Sequence, residues 1–391
     1  MQPCEVLIYD AVRTPHGSFM GALKLLPVTE LGSCVIRTLL ERHVSLSEAV
    51  DGIFMGEVLT AGEGQNPARH AAIQGGVPKR VPAETFNKVC ASSLVALRHA
   101  ANMLWLNQSR CMIVGGMESM SGSPRLISRC PSKMGNVIAY DSMLHDGLSE
   151  PSVPGRPHMG VLADQCAHQY NISRERQEDF AHASFVRAYR VAHEDFGGQV
   201  IPMIGKNGKI LLQCDEGIRR PNREEMRALK PVFSPQNGSI TARTSSQISD
   251  GASALLVASG FAINSFGWNP IARIRDFAVF SGLPKQYPTA PIGAINLLLK
   301  QTGYALADID LFEINEAFAV VSLLAMQQLH IPHEKVNIWG GAIAIGHPLG
   351  ASGTRIVGSL ALQLRALGKK RGIAVACNGG GEAVAVLIER V

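Results

Sequence analysis

The sequence lacks long hydrophobic runs, and it lacks a strong excess of either charge. No apolar run approaches the roughly 20 residues that a membrane-spanning helix needs, which predicts a soluble protein without a membrane partner. The 37 lysines and arginines nearly balance the 32 aspartates and glutamates and leave a net charge of +5. So small an excess does not by itself indicate a nucleic-acid partner, although it would suit a polyanionic small ligand if some of the charge were local. Scattered, solvated lysines and arginines are the alternative.

The chain also lacks any C-x-x-C pair among its eight cysteines, at positions 4, 34, 90, 111, 130, 166, 214 and 377. This absence argues against a zinc site. A disulfide framework is not expected either, because the chain is long and Met1 leads almost directly into the strand-like VLIYDAV, with no room for a secretion signal. We therefore predict a reducing compartment, by default the cytoplasm.

A chain of 391 residues exceeds what one ordinary hydrophobic core supports and predicts two or three domains. Near its start, strand-like segments (Val6–Val12 and Gly52–Val58) alternate with helical ones (Glu30–Arg42 and Asn66–Gln74). This alternation favours an α/β fold in which sheets lie between layers of helices.

Two pairs of segments resemble each other and suggest a duplicated fold. Cys111–Val114 is followed by two glycines, and Ile373–Ala376 is followed by CNGGG. DGIFMGEVLTAG at 51–62 and IDLFEINEAFAV at 309–320 both show a strand, a polar turn and a helix.

The middle of the chain, from Ser121 to Ser249, differs in character from both ends. It holds many prolines and much of the charge, with one clear helix at Arg174–His193 and long irregular connections. Long loops commonly carry function or cover a site. We interpret this region as an insertion, after which the strand Ala252–Ala258 returns to the first half.

Cys90 lies in ETFNKVCASSLVALRHAANML, where apolar residues at 94, 97, 101 and 104 have helical spacing. This spacing places Cys90 at the N-terminal end of a helix, where the dipole and free N–H groups would lower the thiol pKa. Ser92 and Ser93 could cap the helix instead. An isolated cysteine is also commonly a buried structural residue, so both interpretations stay open here.

A second segment, NIWGGAIAIGHPLGASGTRIV at 337–357, surrounds His347 with glycines and then opens a helix. Glycines allow backbone and ligand to approach closely, and a histidine held there could be a general base or an oxyanion donor. A structural glycine turn that happens to contain a histidine is the alternative.

Two further segments carry weaker signals. In ACNGGGEAV at 376–384, three glycines could form a hairpin turn, or could expose N–H groups to an oxyanion beside Cys377. In FEINEAFA, a strand gives way to an apolar helix, so that Asn315 could be the helix cap and Glu316 a capping carboxylate.

Taken together, NKVCASS, GGMES, NEAFA, GGAIAIGHPLGASG and CNGGG closely resemble the thiolase family, in particular its biosynthetic acetyl-CoA acetyltransferases. The likeness covers nearly the whole chain, since AVRTPHGSFMGAL, GEVLTAGEGQNPAR, HMGVLADQCA and DEGIRR also match. It implies a layered α/β/α/β/α fold of two βαβαβαββ halves, comprising residues 1–121 with 250–268, and residues 269–391. It further implies that residues 122–249 form an inserted loop domain and that the protein is a homo-oligomer, a dimer or a tetramer.

The resemblance also implies catalytic roles in the reversible condensation of two acetyl-CoA to acetoacetyl-CoA and CoA, by ping-pong kinetics and without a permanently bound cofactor. Cys90 would carry the acetyl group, and His347 would take its proton and later polarise a thioester oxygen. Cys377 would deprotonate the methyl group of the second acetyl-CoA and return a proton to the leaving thiolate. Asn315 would fix a water that forms one oxyanion hole with His347, and the N–H groups of Cys90 and Gly379 would form the other.

By the same resemblance, coenzyme A would lie along the inserted domain. The residues expected to contact the substrate are His158 near the acyl group, Ser246 at the pantetheine arm, Arg219 at the adenine end, and also Ala242 and Phe318. A cluster of basic residues would lie where the nucleotide phosphates pass, or would simply be a solvated face; it comprises Arg219, Arg220, Arg223, Arg227 and Lys230.

One segment departs from the family pattern. Where the family reads close to T-A-G-N-A-S-G-x-N-D-G-A, this chain reads TARTSSQISDGA. Arg243 and Gln247 thereby replace small residues beside the expected pantetheine path, where they could narrow the tunnel or alter how the acyl carrier is held. Asn378 differs from the aliphatic residue that many members have after the second cysteine.

Three alternatives to acetoacetyl-CoA chemistry are considered. A degradative 3-ketoacyl-CoA thiolase would take longer chains; HMG at 158–160 and CASS favour short ones, but Gln247 leaves the range open. A non-catalytic coenzyme A- or lipid-binding protein is disfavoured because all four catalytic side chains are present. A decarboxylating ketosynthase is disfavoured because Cys377 stands where such enzymes have a histidine.

Overall fold

The computed structural model describes residues 5–130, 134–193, 195–205 and 207–391, which form fourteen strands and twelve helices. The strands are β1 Val6–Arg13, β2 Gly17–Ser18, β3 Gly52–Gly56, β4 Ala83–Phe86, β5 Cys111–Ser119, β6 Arg125–Ile127, β7 Ala139–Asp141, β8 Met203–Ile204, β9 Ile210–Leu212, β10 Ser249–Ser259, β11 Ala272–Ser281, β12 Leu311–Ile314, β13 Arg371–Asn378 and β14 Glu382–Arg390. The helices are α1 Val28–Arg42, α2 Leu46–Ala49, α3 Pro67–Gln74, α4 Ser92–Trp105, α5 Met159–Gln169, α6 Arg174–Ala192, α7 Arg223–Ala228, α8 Phe261–Phe266, α9 Ala290–Thr302, α10 Ala319–Leu329, α11 Ala342–Ile345 and α12 Ser352–Ala366.

The alternation of strands and helices predicted near the N-terminus is confirmed. β1 extends one residue beyond the predicted strand, α1 begins two residues earlier than predicted, and β3 ends at Gly56 rather than Val58. The helix predicted from Asn66 begins at Pro67, because the Asn66 side chain caps it by accepting a hydrogen bond from the Arg69 N–H at 3.3 Å. Proline suits the first helical position, where its missing N–H has no intrahelical partner to lose.

The main sheet is built from two similar halves. Its strand order is β12-β13-β14-β11-β1-β10-β5-β3-β4, with β2 added against β10. On each side of the β11·β1 contact, two antiparallel pairs are followed by one parallel pair. The counterpart of β4 is reduced to a single bridge between Phe312 and Val336. The predicted duplication is therefore present in the topology.

Strand register identifies which residues of the two halves correspond. β1 shifts register just before Asp10, and β11 shifts just before Asp276. In both strands the aspartate carboxylate accepts a hydrogen bond of 2.8 Å from the next backbone N–H. Leu7 pairs with Arg273 where β1 meets β11, so corresponding residues face each other across a pseudo-two-fold axis.

Five layers stack as helices, half-sheet, helices, half-sheet and helices, which confirms the predicted layered α/β fold. α1 and α3 lie outside the first half-sheet, and α9 and α10 lie outside the second. α4 and α12 lie between the half-sheets, and α12 contacts strands of both. Every α12 residue from Ser352 to Leu364 is buried, which explains why small and apolar residues occur on every face of this helix.

The middle segment (residues 122–249) lies between the end of β5 and the start of β10. It contributes two small antiparallel hairpins, β6·β7 and β8·β9, and helices α5 to α7. α6 corresponds to the predicted long helix and packs against α10 and α11, so part of this segment covers the second half. β10 then enters the main sheet between β1 and β5.

Several kinds of feature are absent from the described ranges. The seven cysteines within them are free thiols, and Cys4 lies outside them. None of the helices in that part of the chain is both long and apolar enough to cross a membrane. Nor do three or more histidine, cysteine, aspartate or glutamate side chains gather there as metal ligands would.

Two buried glutamates interact in the first half: Glu57, which follows β3, and Glu118, on β5. The Glu118 carboxylate accepts hydrogen bonds from three backbone N–H groups, those of Val58 at 3.1 Å, Leu59 at 3.0 Å and Gly350 at 2.8 Å. The Glu57 carboxylate is fully buried and has no hydrogen-bond partner among the described residues. Burial, with the Glu118 charge adding to it, raises the pKa of Glu57 to about 9. Glu57 is therefore the member of the pair that keeps its proton at neutral pH.

Replacing Glu57 with Gln should stabilise the protein by an amount that grows as pH rises. The pKa of Glu57 is about 9 in the folded protein, above the ordinary 4.5, so the parent loses stability between these values while a glutamine does not ionise. Chemical denaturation at pH 5 and pH 8 should give a stability gain that is larger by about 4 kcal/mol at pH 8. The exposed Glu48→Gln serves as control, and a gain independent of pH would contradict this account.

Candidate active site

A cavity of about 570 Å³ is lined by residues of both halves and of the middle segment. Nine of the ten residues singled out in the sequence line it: Cys90, His158, Arg219, Ala242, Ser246, Phe318, His347, Cys377 and Gly379. The tenth, Asn315, is buried directly behind His347. Segments that are far apart in the sequence therefore converge on one cavity.

Cys90 lies at the N-terminal end of α4, two residues before Ser92 begins the helix. The preceding Val89 has a φ of 49°, a left-handed conformation that β-branched residues avoid. Ser92 holds this turn, because its Oγ accepts from the Lys88 N–H at 2.9 Å and donates to the Val89 carbonyl at 2.6 Å. Lys88 forms an ion pair with Glu382 of the other half. The strained turn that carries the thiol is thus held from both halves.

The prediction that the helix lowers the pKa of Cys90 is wrong. Burial raises the pKa of the Cys90 thiol to about 12; its own backbone N–H opposes this shift and the Glu118 carboxylate adds to it. The N–H groups of Ala91 and Ser92, nearest to Cys90, are already occupied, since they donate to the Lys88 and Val89 carbonyls. Neither Ser92 nor Ser93 caps the helix through its side chain. The resting thiol is therefore protonated and needs a base.

The hydrogen bonds of His347 determine which ring nitrogen carries its proton. Ser352 Oγ donates its one proton to the Pro348 carbonyl at 2.8 Å, so it accepts from His347 Nδ1 at 2.6 Å. Nδ1 therefore carries the ring proton, and Nε2 has a lone pair. Burial, with the Arg355 charge adding to it, lowers the pKa of His347 to about 3. The ring is neutral, and Nε2 is the atom that can accept a proton.

Asn315 is oriented by a buried ion pair behind it. Arg355 Nη2 donates to Asn315 Oδ1 at 3.3 Å, which directs Asn315 Nδ2 toward His347 Nε2, also at 3.3 Å. Arg355 Nη1 lies 3.4 Å from a carboxylate oxygen of Glu313, and Gln363 donates to the other oxygen at 2.8 Å. An arginine on α12 and a glutamate on β12 thus set the direction of the amide that faces the imidazole.

The capping roles predicted for Asn315 and Glu316 are wrong. The chain turns at Ala317, whose N–H donates to the Asn315 carbonyl at 3.0 Å, and Phe318 occupies the cap position of α10. Glu316 supports the loop before His347 instead. Its buried carboxylate accepts three hydrogen bonds, from Ser184 Oγ at 2.8 Å, Asn337 Nδ2 at 2.9 Å and the Ile343 N–H at 3.1 Å.

Glycine is required at two points of the His347 segment. Gly346 has a φ of 102°, and a Cβ there would lie 2.3 Å from Ser249 Oγ. A Cβ on Gly350 would lie 2.6 Å from the Gly56 carbonyl oxygen. The segment therefore packs closely on the first half, and the predicted helix follows it at Ser352.

Gln247, one of the two departures from the family pattern, ties the His347 segment to the DEGIRR segment. Its Nε2 donates to the Ile343 and Ala344 carbonyls, both at 2.9 Å, and lies 3.5 Å from the Gly217 carbonyl. Its backbone carbonyl accepts from the His347 N–H at 3.0 Å. Because α11 is a single turn, these bonds satisfy carbonyls that the helix leaves without partners.

The CNGGG segment forms a hairpin turn and also borders the cavity. Its three glycines connect β13 to β14, while Cys377 and Gly379 line the cavity wall. Burial raises the pKa of Cys377, and the nearby Cys90 adds to the shift. Among the described residues, the N–H groups of Cys90 and Gly379 donate to no backbone carbonyl. Two donors are therefore available at the cavity.

Three rings form an aromatic wall of the cavity. His158 caps α5, since its Nδ1 accepts from the Gly160 N–H at 3.0 Å, and its ring stacks on Phe233 with 4.8 Å between centroids. Phe318 meets Phe233 edge-on at 5.7 Å. Burial lowers the pKa of His158, so this wall is uncharged at neutral pH.

The remaining residues expected to contact coenzyme A are more exposed. Ser246 is half-buried, and both Ala242 and Arg219 are exposed where they border the cavity. Within the predicted basic cluster, Arg219 lines the cavity, whereas Arg223 forms an ion pair with Asp179.

Several lining residues were missed in the sequence, notably Val89, Met120, Leu148, Met159, Phe233, Tyr287, Ile248 and Leu349. Tyr287 is buried in a 3₁₀ turn and donates its hydroxyl to the Met159 carbonyl at 3.1 Å. Val89, Met159 and Leu349 lie inside motifs quoted above without having been singled out. No periodicity or motif marks Leu148, Phe233 or Tyr287, which reach the cavity from irregular segments.

Family models match nearly the whole chain. The model of the thiolase N-terminal domain matches residues 6–260, and that of the thiolase C-terminal domain matches residues 268–390. The chain belongs to the thiolase family. This thiolase is accordingly an acyltransferase.

Relatives that span nearly the whole chain agree with this assignment. The chain is 40% identical over 392 residues to the mitochondrial acetyl-CoA acetyltransferase of Homo sapiens, covering 99% of this chain and 91% of the relative. It is 40% identical over 395 residues to an acetyl-CoA acetyltransferase of Schizosaccharomyces pombe, covering 99% of each. The crystal structure of the Acat5 thiolase from Ascaris suum in complex with coenzyme A matches with a TM-score of 0.92 at 37% identity, over 99% of this chain and all of that one.

Ser352→Ala should slow the reaction of Cys90 with iodoacetamide about tenfold at neutral pH. The variant removes the acceptor that keeps the His347 proton on Nδ1, a loss of about 1–1.5 kcal/mol. Mass spectrometry of the Cys90 peptide provides the measurement. Ser359→Ala, also on α12 but bonded to Gln199, is the matched control, and an equal effect of both variants would refute this role.

Gln247→Met should loosen the segments on both sides of the cavity, because it keeps the side-chain length but removes the amide donors. Hydrogen exchange of residues 341–347 and 215–219 should quicken about tenfold, as expected for the loss of one net hydrogen bond. Ser246→Ala, whose neighbouring hydroxyl makes no such bridge, should leave exchange unchanged. Unaltered exchange in Gln247→Met would show that the bridge contributes nothing.

Proposed function

We propose that this thiolase is an acetyl-CoA C-acetyltransferase that reversibly condenses two acetyl-CoA to acetoacetyl-CoA and CoA, with no permanently bound cofactor. One observation carries the proposal: the half-buried Cys90 thiol, the buried Cys377 thiol and the neutral His347 line one cavity. A nucleophile, a second base and a proton acceptor are the groups that a two-step acyl transfer requires. The names of the relatives support the same reaction.

In the first half-reaction, His347 Nε2 takes the proton of Cys90 as its sulfur attacks the thioester carbonyl of acetyl-CoA. The sulfur–carbon bond to coenzyme A breaks, and Cys377 gives its proton to the leaving thiolate. The products are acetyl-Cys90, CoA, a protonated His347 and a Cys377 thiolate. Both thiols start neutral, so charge arises only when an acyl donor occupies the cavity.

In the second half-reaction, the Cys377 thiolate removes a proton from the methyl group of another acetyl-CoA. Burial raises the pKa of Cys377, which makes its thiolate a stronger base once formed. The enolate carbon attacks acetyl-Cys90, a carbon–carbon bond forms, and the Cys90 sulfur leaves. His347 returns its proton to Cys90, which restores both thiols and the neutral imidazole.

Two groups of donors are proposed to stabilise the oxyanions. The N–H groups of Cys90 and Gly379, which donate to no backbone carbonyl in the described chain, would hold the oxygen on acetyl-Cys90. His347 Nε2, once protonated, would hold the enolate oxygen together with a water fixed by Asn315. The hydrogen bond from Arg355 to Asn315 supports this orientation of the amide.

Coenzyme A is proposed to lie along the middle segment. The acyl group would meet the aromatic wall at His158 and Phe318, and the pantetheine arm would pass Ser246 and Ala242. Arg219 would meet the nucleotide. The mild positive charge of the chain is thereby concentrated where the phosphates run.

The division into domains and the assembly are likewise proposals. We propose an N-terminal half at 1–121 plus 250–268, a loop domain at 122–249 and a C-terminal half at 269–391. The β6·β7 hairpin exposes apolar side chains, among them Ile127 and Tyr140, and β4 is an edge strand. Both features favour a homo-oligomer, a dimer or a tetramer. The free thiols suit a reducing compartment, for which we propose the cytoplasm, and we propose no nucleic-acid or membrane partner.

The purified protein should consume acetoacetyl-CoA in the presence of free CoA, and Cys90→Ala should lower this rate about a thousandfold or more. Absorbance of the 3-ketoacyl group follows the reaction, and Cys34→Ala on α1 is the control. A preference for longer 3-ketoacyl-CoA would favour the degradative alternative. Binding of CoA with no turnover of any chain length would instead support the non-catalytic one.

A further inference from the structure

Arg243 is held in an environment that is unusual for a cation. Its guanidinium carbon lies 5.3 Å from the centroid of the Phe185 ring, and Phe185 is almost fully buried. The aliphatic stem is half-buried, and the backbone N–H is fixed by Thr241 Oγ1 at 3.3 Å. A cation stacked on an aromatic face is restricted in direction without being neutralised. The planar group is therefore held in place while its charge remains available.

The neighbours of Arg243 add charge of the same sign. Arg243, Arg219 and Arg220 line one shallow crevice, and Arg219 also lines the main cavity. Burial lowers the pKa of Arg243, the Arg219 charge lowers it further, and the Glu225 charge opposes both. The crevice contains one carboxylate, Glu225, which accepts from the Asn222 amide at 3.1 Å.

Other arginines nearby are neutralised in the ordinary way. Arg223 pairs with Asp179, and Arg174 pairs with Glu178 at 2.7 Å. Over the ranges that the structure describes, Arg243, Arg219 and Arg220 form no ion pair, and the guanidinium of Arg243 has no hydrogen-bond acceptor. A half-buried group with five N–H donors loses free energy unless an acceptor reaches it. Three arginines therefore share this crevice with a single carboxylate, Glu225, which forms no ion pair with any of them among the described residues.

We infer that Arg243 binds a phosphate of the coenzyme A nucleotide and thereby selects full coenzyme A thioesters over truncated carriers. The inference rests on the proposed function. Ala242 and Ser246, on either side of Arg243 in sequence, line the cavity, and Arg219 joins it to the crevice. A guanidinium can bond two phosphate oxygens at once, which explains why a fixed arginine rather than a mobile lysine suits this place. The small residue of the family pattern offers no such contact.

Arg243→Met tests this inference, because it keeps an aliphatic stem against Phe185 while removing the charge and the donors. Thiolysis is measured with acetoacetyl-CoA, acetoacetyl-dephospho-CoA and acetoacetyl-pantetheine, each with its own free thiol. For acetoacetyl-CoA, KM should rise about tenfold with kcat nearly unchanged, as expected for one charge-assisted hydrogen bond. For acetoacetyl-pantetheine, the parent and the variant should agree within about twofold.

The dephospho substrate distinguishes the two sources of phosphate. If Arg243→Met has no effect with acetoacetyl-dephospho-CoA, the partner is the 3′-phosphate; if the tenfold effect persists, the partner is the pyrophosphate. Arg243→Lys should recover part of the loss, and added salt should raise KM of the parent more steeply than KM of the variant. Arg42→Ala, which removes an arginine of α1 already paired with Asp10 at 3.2 Å, should change KM little.

An equal loss on acetoacetyl-pantetheine, or no loss on any substrate, would overturn the inference. Calorimetric binding of CoA and dephospho-CoA separates it from the proposed function. A protein that binds CoA more weakly after Arg243→Met, yet does not cleave acetoacetyl-CoA, would retain the phosphate contact and refute the acetyltransferase assignment. If parent and Arg243→Met turned over acetoacetyl-CoA with the same kcat and KM, the acetyltransferase assignment would stand and the phosphate contact would be refuted.

Discussion

The buried contact between Arg355 and Glu313 joins the central helix to the sheet at the point on which the active site depends. Both side chains are 1% exposed, and 3.4 Å separates their charged atoms. Burying two charges is unfavourable by several kcal/mol for each, so such a pair persists only where its remaining hydrogen bonds are made. Gln363 and Asn315 supply two of those bonds. Because Asn315 is one of these partners, the contact that docks α12 on β12 also aims the amide at His347.

Burial explains the electrostatics of the site more than any single charge does. It raises the pKa of both thiols and lowers the pKa of His347, so all three groups rest in their neutral forms. A site of this kind holds no charge until a reaction creates it. Donors that are already fixed by the backbone can then act on a developing oxyanion without first being reoriented. Fixing these donors requires a left-handed conformation at Val89 and glycines around His347.

Sequence patterns predicted the elements, and the resemblance to thiolases implied most of the converging residues, but neither predicted the environments of these residues. Apolar spacing after Cys90 correctly placed it before a helix, while the pKa shift had the wrong sign because a linear pattern does not reveal how deeply a thiol is buried. Glu316 was assigned to the nearest helix, since capping is a local rule, whereas its real partners come from three distant segments. Gln247 was flagged by its departure from the family pattern, yet only the folded chain reveals the bridge it makes. Tyr287 left no signal of any kind.

The duplication places Glu57 in context, the one carboxylate in the described part of the chain with both oxygens buried and unpartnered. Counting along the paired strands from Asp10 and Asp276, Glu57 corresponds to Glu316, and Gly56 corresponds to Asn315.

In the second half, the Glu316 carboxylate accepts three hydrogen bonds. In the first half, the Glu57 carboxylate accepts none from the described residues. The first half has glycines where the His347 segment packs on it. A Cβ on Gly116 would lie 1.9 Å from the Gly350 carbonyl oxygen, and one on Gly56 would lie 2.8 Å from it. The second half therefore supplies most of the reacting groups. The first half supplies Cys90 and a glycine-lined surface on which the His347 segment packs.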